Sequence, residues 1–227
     1  MSRRSPNLEA ARREEIACSV EAITSYRFET RLTGLAGPVR ERVNLGIADG
    51  GERSVFRTQS EKGGCEARVI GTAVYRSLRP DEFERTGKRW LRLDSQCDGL
   101  GDDWRTVMAH LIRMADNVPG VVQRFDTARC RVNQFAALSA SPDGTAAAAL
   151  AKYRDEHAVE DMTLTVFTSA AGRPMRLRLS IGEFTNCMEP EIRLRSTKDL
   201  YDFGVPVPTI IAPSEDQVYR LPATQAP

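Results

Sequence analysis

Apolar positions along the chain recur with a period of two more often than with the period of a helix. Tyr26, Phe28, Thr30 and Leu32 alternate with Arg27, Glu29 and Arg31, and beyond a turn at Gly34 to Pro38, Val43, Leu45 and Ile47 alternate with Arg42 and Asn44. Successive side chains of a strand point to opposite faces, so this pattern predicts a hairpin with one apolar face. Turn chemistry at Asp49-Gly50-Gly51 and Lys62-Gly63-Gly64 marks further strands over 52–60, 64–71, 72–79 and 88–94. Strands that follow one another without helices between them predict an antiparallel meander.

Two segments follow the helical period. Over 7–23, Leu8, Ala11, Ile16, Val20 and Ile23 fall near one face, and over 104–115 Trp104, Val107, Met108, Leu111, Ile112 and Ala115 do so behind Asp102-Asp103. A third helix is expected in the alanine-rich run of SPDGTAAAALAKYRDEHA, residues 141–158, after strands over 121–129 and 130–138. Alternation returns in the last third. Met162, Leu164 and Val166 precede a turn, then Met175, Leu177, Leu179 and Ile181 alternate with Arg176, Arg178 and Ser180, and Ile192 and Leu194 with Arg193 and Arg195. About nine or ten antiparallel strands and three helices predict one α+β domain over 1–213. Each strand shows one apolar and one charged face, so the sheet is expected to be covered on one side and wet on the other. A sheet this large curls, which predicts a strongly curved, half-open barrel with the helices over its concave face.

The stretch LYDFGVPVPTIIAPS, residues 200–214, starts as a strand and is then broken by Pro206 and Pro208. Proline has no N–H for a ladder, so the segment is expected at a sheet edge or as extended chain on a surface, with the rim of the sheet the favoured place. The polar residues 214–227 that follow show no periodic face and are expected to form a flexible tail.

Composition narrows the partners more than the chemistry. Across 227 residues, 32 basic side chains against 31 acidic ones leave a net charge of +1, which gives no electrostatic case for nucleic acid. No run approaches the roughly 20 apolar residues of a membrane helix, so no integral membrane segment is expected. Arg12, Arg13, Glu14 and Glu15 stand where a signal peptide would be apolar, and Glu15 breaks the lipobox pattern ahead of Cys18, which predicts a cytoplasmic location for the chain as written.

No catalytic constellation is found, and no enzyme activity, cofactor or metal is expected. The five cysteines, Cys18, Cys65, Cys97, Cys130 and Cys187, lack the close spacing of zinc or redox sites and read mostly as buried structural thiols. His110 and His157 are the two histidines, and neither accompanies a nucleophile motif. Asp102-Asp103 suits a helix N-terminus, and Glu189 with Glu191 a solvated strand. Arg176, Arg178, Arg193 and Arg195 form a basic strip if their strands are neighbours, with an ordinary charged outer face the simpler reading.

The order of elements resembles the mycobacterial lipoprotein family of the LppX and LprG type, related in fold to the carrier LolA. The residues that carry the resemblance are Tyr201-Asp202-Phe203-Gly204-Val205-Pro206-Val207 and the region 71–94, from GTAVYRSL to RWLRLD. It implies a half-barrel around helices with an apolar cavity for acyl chains, and a cell-envelope location if the true start lies upstream. On that footing the chain is expected to be a non-enzymatic carrier or sensor of a lipid or acyl-chain ligand. The candidate ligand-binding residues are Phe28, Leu32, Leu45, Trp104, Leu164 and Leu179. The alternative is a protein-interaction module of the same fold with a solid core, because the same apolar residues line a core and a cavity.

Overall fold

Alternation builds a single long, curved, open sheet, and the helical segments pack on one face of it. The structure is a computed structural model that describes residues 6–34, 41–49, 53–60, 63–94, 104–114, 117–118, 122–125, 128–136, 162–169, 173–186 and 189–220. After helix α1 (Pro6–Glu21) the chain forms β1 (Ser25–Gly34), β2 (Glu41–Asp49), β3 (Arg53–Ser60), β4 (Gly63–Ile70) and β5 (Ala73–Ser77), then α2 (Pro80–Thr86) and β6 (Trp90–Asp94). Helix α3 (Trp104–Met114) leads to β7 (Asn117–Val118), β8 (Val122–Phe125) and β9 (Ala128–Ala136), and then to β10 (Met162–Thr168), β11 (Pro174–Asn186), β12 (Glu189–Tyr201) and β13 (Val218–Arg220).

Among the described residues the sheet runs β13-β6-β5-β4-β3-β2-β1-β12-β11-β10-β9-β7, with β8 also paired to β9. Two meanders meet at the pairing of β1 with β12, which runs from Arg27 opposite Tyr201 to Gly34 opposite Leu194. Directly opposed residues share a face. From this register Phe28, Leu200, Leu177 and Val166 lie on one face, while Glu29, Asp199, Arg178 and Thr165 lie on the other. The first face meets the helices: Ile16, Ala17 and Val20 of α1 and Met108, Ala109 and Ile112 of α3 join it in one cluster, all almost fully buried. Ala17 and Ala109 have no accessible surface, and side chains this small suit a close approach of helices. Arg113 of α3 ties the pair from outside through Glu21 at 2.7 Å and Glu14 at 3.0 Å.

Several expectations are corrected. The expected helix over 141–158 lies outside the described residues, and a short helix not anticipated, α2, stands between β5 and β6. Pro80 opens α2, the Glu82 carboxylate accepts the Arg79 N–H at 2.9 Å, and Gly87 closes it at φ 65°. The outer face is not wet throughout. Ala73, Tyr75 and Val218, with Ile70 and Trp90, form a second apolar cluster there.

The chain beyond β12 crosses the same outer face. Tyr201 ends a central strand and not a rim strand; the backbone then turns through Asp202 at φ 52° and Gly204 at φ 77°. Residues 205–214 form neither helix nor strand, in keeping with Pro206, Pro208 and Pro213, and the sheet reaches up to their carbonyls. The Ser25 hydroxyl donates to Val205 at 2.6 Å, and the guanidiniums of Arg53 and Arg68 donate to Ile210 at 3.4 Å and Ile211 at 3.1 Å. The segment expected as a tail carries regular structure over its described part. Residues 215–217 form a 3-10 turn, and β13 pairs in parallel with β6 while burying Val218. The physical reason is the unpaired edge of β6, which accepts one more strand. Residues 221–227 lie outside the described residues.

Phe28 shows how tightly the helix-packed face is set. Its ring lies 5.9 Å from that of Phe56, centroid to centroid, over Gly46. A Cβ on Gly46 would come within 2.6 Å of the Phe28 ring, of Phe56 Cβ and of the Val55 carbonyl oxygen. Gly46→Ala is therefore expected to destabilise the protein by about 1–3 kcal/mol, the usual range for overpacking, measured by urea unfolding. An unchanged midpoint would contradict the register of β1 against β2.

Candidate ligand-binding site

Three rows of side chains cross the helix-packed face of the central strands. In the first, Val166, Leu177, Leu200, Phe28, Gly46, Phe56 and Ala67 succeed one another from β10 to β4. The next row, one pleat further along, holds Leu164, Leu179, Lys198, Thr30, Asn44, Thr58 and Cys65, and the third contains Ile181, Ser196, Leu32 and Arg42. The helices close the β10–β11 end of these rows: Val166 has no exposed surface, Leu177 and Leu164 have 1%, and Leu179 and Ile181 have 7%. Along the rows toward β2 and β3 burial falls, and Phe56, Thr30, Asn44, Thr58 and Leu32 are half-buried.

Four of the expected ligand-binding residues fall on this face. Phe28, Leu164 and Leu179 are buried in the main cluster and Leu32 stands half-buried beside Ser196. Trp104 opens α3, but its side chain lies outside the described residues. Leu45 is corrected: it opposes Glu29 and Arg57 on the outer face and is 38% exposed. The cause is the β1–β2 register, which sets Asn44, Gly46 and Ala48 inward and turns the apolar residues Val43, Leu45 and Ile47 outward. The small inward residues leave room for the Phe28 ring.

Lys198 is the residue of this face that sequence reasoning passed over. It stands between Leu179 and Thr30, and its Nζ lies 5.7 Å from the centroid of the Phe28 ring. The neighbouring Asp199 points to the other face, where Arg176 Nη2 lies 2.6 Å from one carboxylate oxygen and Arg178 Nε 2.8 Å from the other. Alternation thus keeps the nearest acid in the chain away from the lysine. Burial pushes the Lys198 ammonium below its ordinary value, with no carboxylate among the described residues to oppose the shift. For Asp199 burial acts upward, but hydrogen bonds and charge from Arg176 and Arg178 outweigh it and hold the carboxyl below its ordinary range.

The arginines expected as a basic strip are therefore partly neutralised. Arg176 and Arg178 share Asp199, while Arg193 and Arg195 are exposed, with Glu183 3.5 Å from Arg195. Cys18 and Cys65 are free thiols; the side chains of Cys97, Cys130, Cys187, His110 and His157 lie outside the described residues. Among the described residues no three His, Cys, Asp or Glu side chains converge on a metal-sized site, and no helix is long and apolar enough to cross a membrane.

No family model matches the sequence, and no curated protein matches it. Solved structures do. The lipoprotein LppX of Mycobacterium tuberculosis superposes with a TM-score of 0.56 at 13% identity, over 91% of this chain and 100% of that one. LprF of Mycobacterium bovis gives 0.53 at 11% identity, over 92% of this chain and 98% of that one. The chain has the fold of these two mycobacterial proteins. The structural likeness to LppX and LprF therefore agrees with the resemblance drawn from the strand order and the 201–207 motif.

The face assignment yields two expectations. Leu164→Ala is expected to destabilise by about 2–5 kcal/mol, the range for a buried leucine, whereas Leu45→Ala should change stability by less than about 1 kcal/mol. Urea unfolding of both variants decides whether the two leucines lie on opposite faces. Asp199 gives a pH signature: a depressed carboxylate contributes stability above its unfolded value of 3.8 that is lost as pH falls through its lower folded value. The stability gap between the wild type and Asp199→Asn should be full at neutral pH and close in acid below 3.8. A gap that stays constant through this window would show that Asp199 carries no native-state charge pairing.

Proposed function

We propose that this chain is a non-enzymatic carrier or sensor that binds a lipid or other apolar ligand between its curved sheet and the helices over the concave face. The observation that carries the reading is the gradient along the inward face. The β10–β11 end of the face is closed, with Leu164, Leu179 and Ile181 buried like Val166 and Leu177. Across β12, β1, β2 and β3 the second and third rows continue the same face with Lys198, Thr30, Asn44, Thr58 and Leu32, which are half-buried among the described residues. Ligand sites are mostly apolar and concave with a few placed polar groups, and this face supplies both kinds of side chain. The fold shared with LprF and with LppX, which is called a lipoprotein, supports the reading by analogy of architecture. The same likeness favours a cell-envelope setting over the cytoplasm.

A second reading keeps a specific observation of its own. Ile112, Val166 and Leu177 pack without a gap to solvent, which suits a solid-core interaction module at that end of the sheet. Leu179 separates the two, because it belongs to the closed end and borders Lys198. In a carrier, Leu179→Trp occupies ligand space, so a fluorescent acyl probe should no longer bind while the melting temperature stays nearly unchanged. In a solid core the same change overpacks and destabilises by about 1–3 kcal/mol, with no probe bound by either protein. Organic extraction of the purified wild type followed by mass spectrometry is expected to recover lipid in near-stoichiometric amount.

A further inference from the structure

We infer that the ligand carries a carboxylate head, and that Lys198 holds it on the inward face while the acyl chain lies along the leucine and phenylalanine rows. This rests on the ligand-binding reading above and adds the chemistry of the head group. An ammonium on an apolar face is costly without a counter-charge, which is why long charged side chains are almost never buried unpaired. Lys198 comes close to that situation on the β12 strand: it is half-buried between Leu179 and Thr30, with the Phe28 ring as its described neighbour. Each acid close to it in sequence or register is turned away. Asp199 is held by two arginines on the outer face, and Glu29, next to Thr30, shares that outer face and lies 3.1 Å from Arg31.

The donors beside Lys198 extend the site. Thr30, Asn44 and Thr58 follow it across three adjacent strands, and at the usual strand spacing the row from Lys198 to Thr58 spans about 14 Å. The Thr58 hydroxyl donates to Asn44 Oδ1 at 2.8 Å, which leaves the Asn44 amide nitrogen as a donor on the same surface. A lysine with hydroxyl and amide donors presents one positive charge as a point, matched to a singly charged carboxylate. Phosphate is more often met by the planar fork of arginine. The two arginines of the inner rows are otherwise placed, Arg42 at the exposed end and Arg76 in a two-point pair with Glu82 at 2.9 and 3.2 Å.

Removal of the charge is testable without loss of the fold, since Lys198→Met keeps the length and the apolar stem of a half-buried side chain and removes only an ammonium that has no carboxylate partner among the described residues. The experiment compares binding of palmitic acid, its methyl ester and a lysophosphatidic acid of the same chain length to delipidated wild type and to Lys198→Met, with melting curves for both. The wild type is expected to prefer the acid over the ester by about tenfold, one charge-assisted contact, and the variant to bind acid and ester within about twofold of each other. Equal binding of acid and ester by the wild type would overturn the head-group assignment and leave the lipid-binding reading standing. A preference for acid that survives in Lys198→Met would remove Lys198 from the site. Tighter binding of the lysophosphatidic acid than of the fatty acid would replace carboxylate by phosphate. Binding of none of the three would overturn both readings together.

Discussion

The pairing of β1 with β12 holds the molecule together and decides what its inner face is. Among the described residues it is the one ladder that joins the N-terminal meander to the C-terminal one, and it brings residues about 170 positions apart in sequence into register, from Arg27 opposite Tyr201 to Gly34 opposite Leu194. A slip of one residue would exchange every inward and outward side chain of β12. Lys198 would then face the arginines and Asp199 the leucines. The Arg176–Asp199–Arg178 cluster opposes such a slip from the outer face, because it would be replaced by a lysine among arginines. On the inner face Leu200 packs beside Phe28 in the main cluster and gives the same register an apolar reward.

Once that seam is set, the helix-covered and the half-buried parts of the inner face follow. The apolar face needs cover, and α1 and α3 provide it most fully toward β10 and β11, where Leu164, Val166, Leu177, Leu179 and Ile181 join Ile16, Val20 and Ile112 in one cluster. The helix pair is tied at its surface by Arg113 with Glu14 and Glu21, groups that are 30%, 55% and 35% exposed. Solvent-exposed pairs of this kind contribute little, about 1 kcal/mol or less. Apolar burial in the shared cluster joins the helices to the sheet. The strap 205–214 lies on the opposite face and is bonded to side chains of β1, β3 and β4, so it stiffens the sheet where the helices do not.

Much of this architecture was legible because alternation is a strong signal in strands such as 26–32 and 175–181, and because α3 has a clear helical period. The limits have physical causes. In β2 the apolar residues Val43, Leu45 and Ile47 point outward, since the inward slots must be small to admit the Phe28 ring; hydrophobicity alone chooses the wrong face there. Helix α2 has local signals in Pro80, Asp81, Glu82 and Gly87, but with seven residues it offers no periodic stripe to notice. The order of the strands, and hence the central place of β12, is a long-range property that no window of residues contains. The docking of β13 depends on an edge that exists only after β6 has paired.

Lys198 was missed for a related reason that has a wider consequence. The alternation that marks Ile192 and Leu194 continues through Ser196 and Lys198 to Leu200, so a polar and then a charged residue occupy slots that the period assigns to apolar ones. Read as periodicity they weaken the strand. Read against the structure they are the positions where local rule and global fold disagree, and such disagreements in natural proteins concentrate at functional sites. A fold shared at 11–13% identity with LppX and LprF can be rebuilt from almost any set of apolar residues that keep the period. What distinguishes one such sheet from another is then carried by the exceptions to the pattern, and on the inward face of this one the exception with the highest energetic stake is a single ammonium without a described counter-charge.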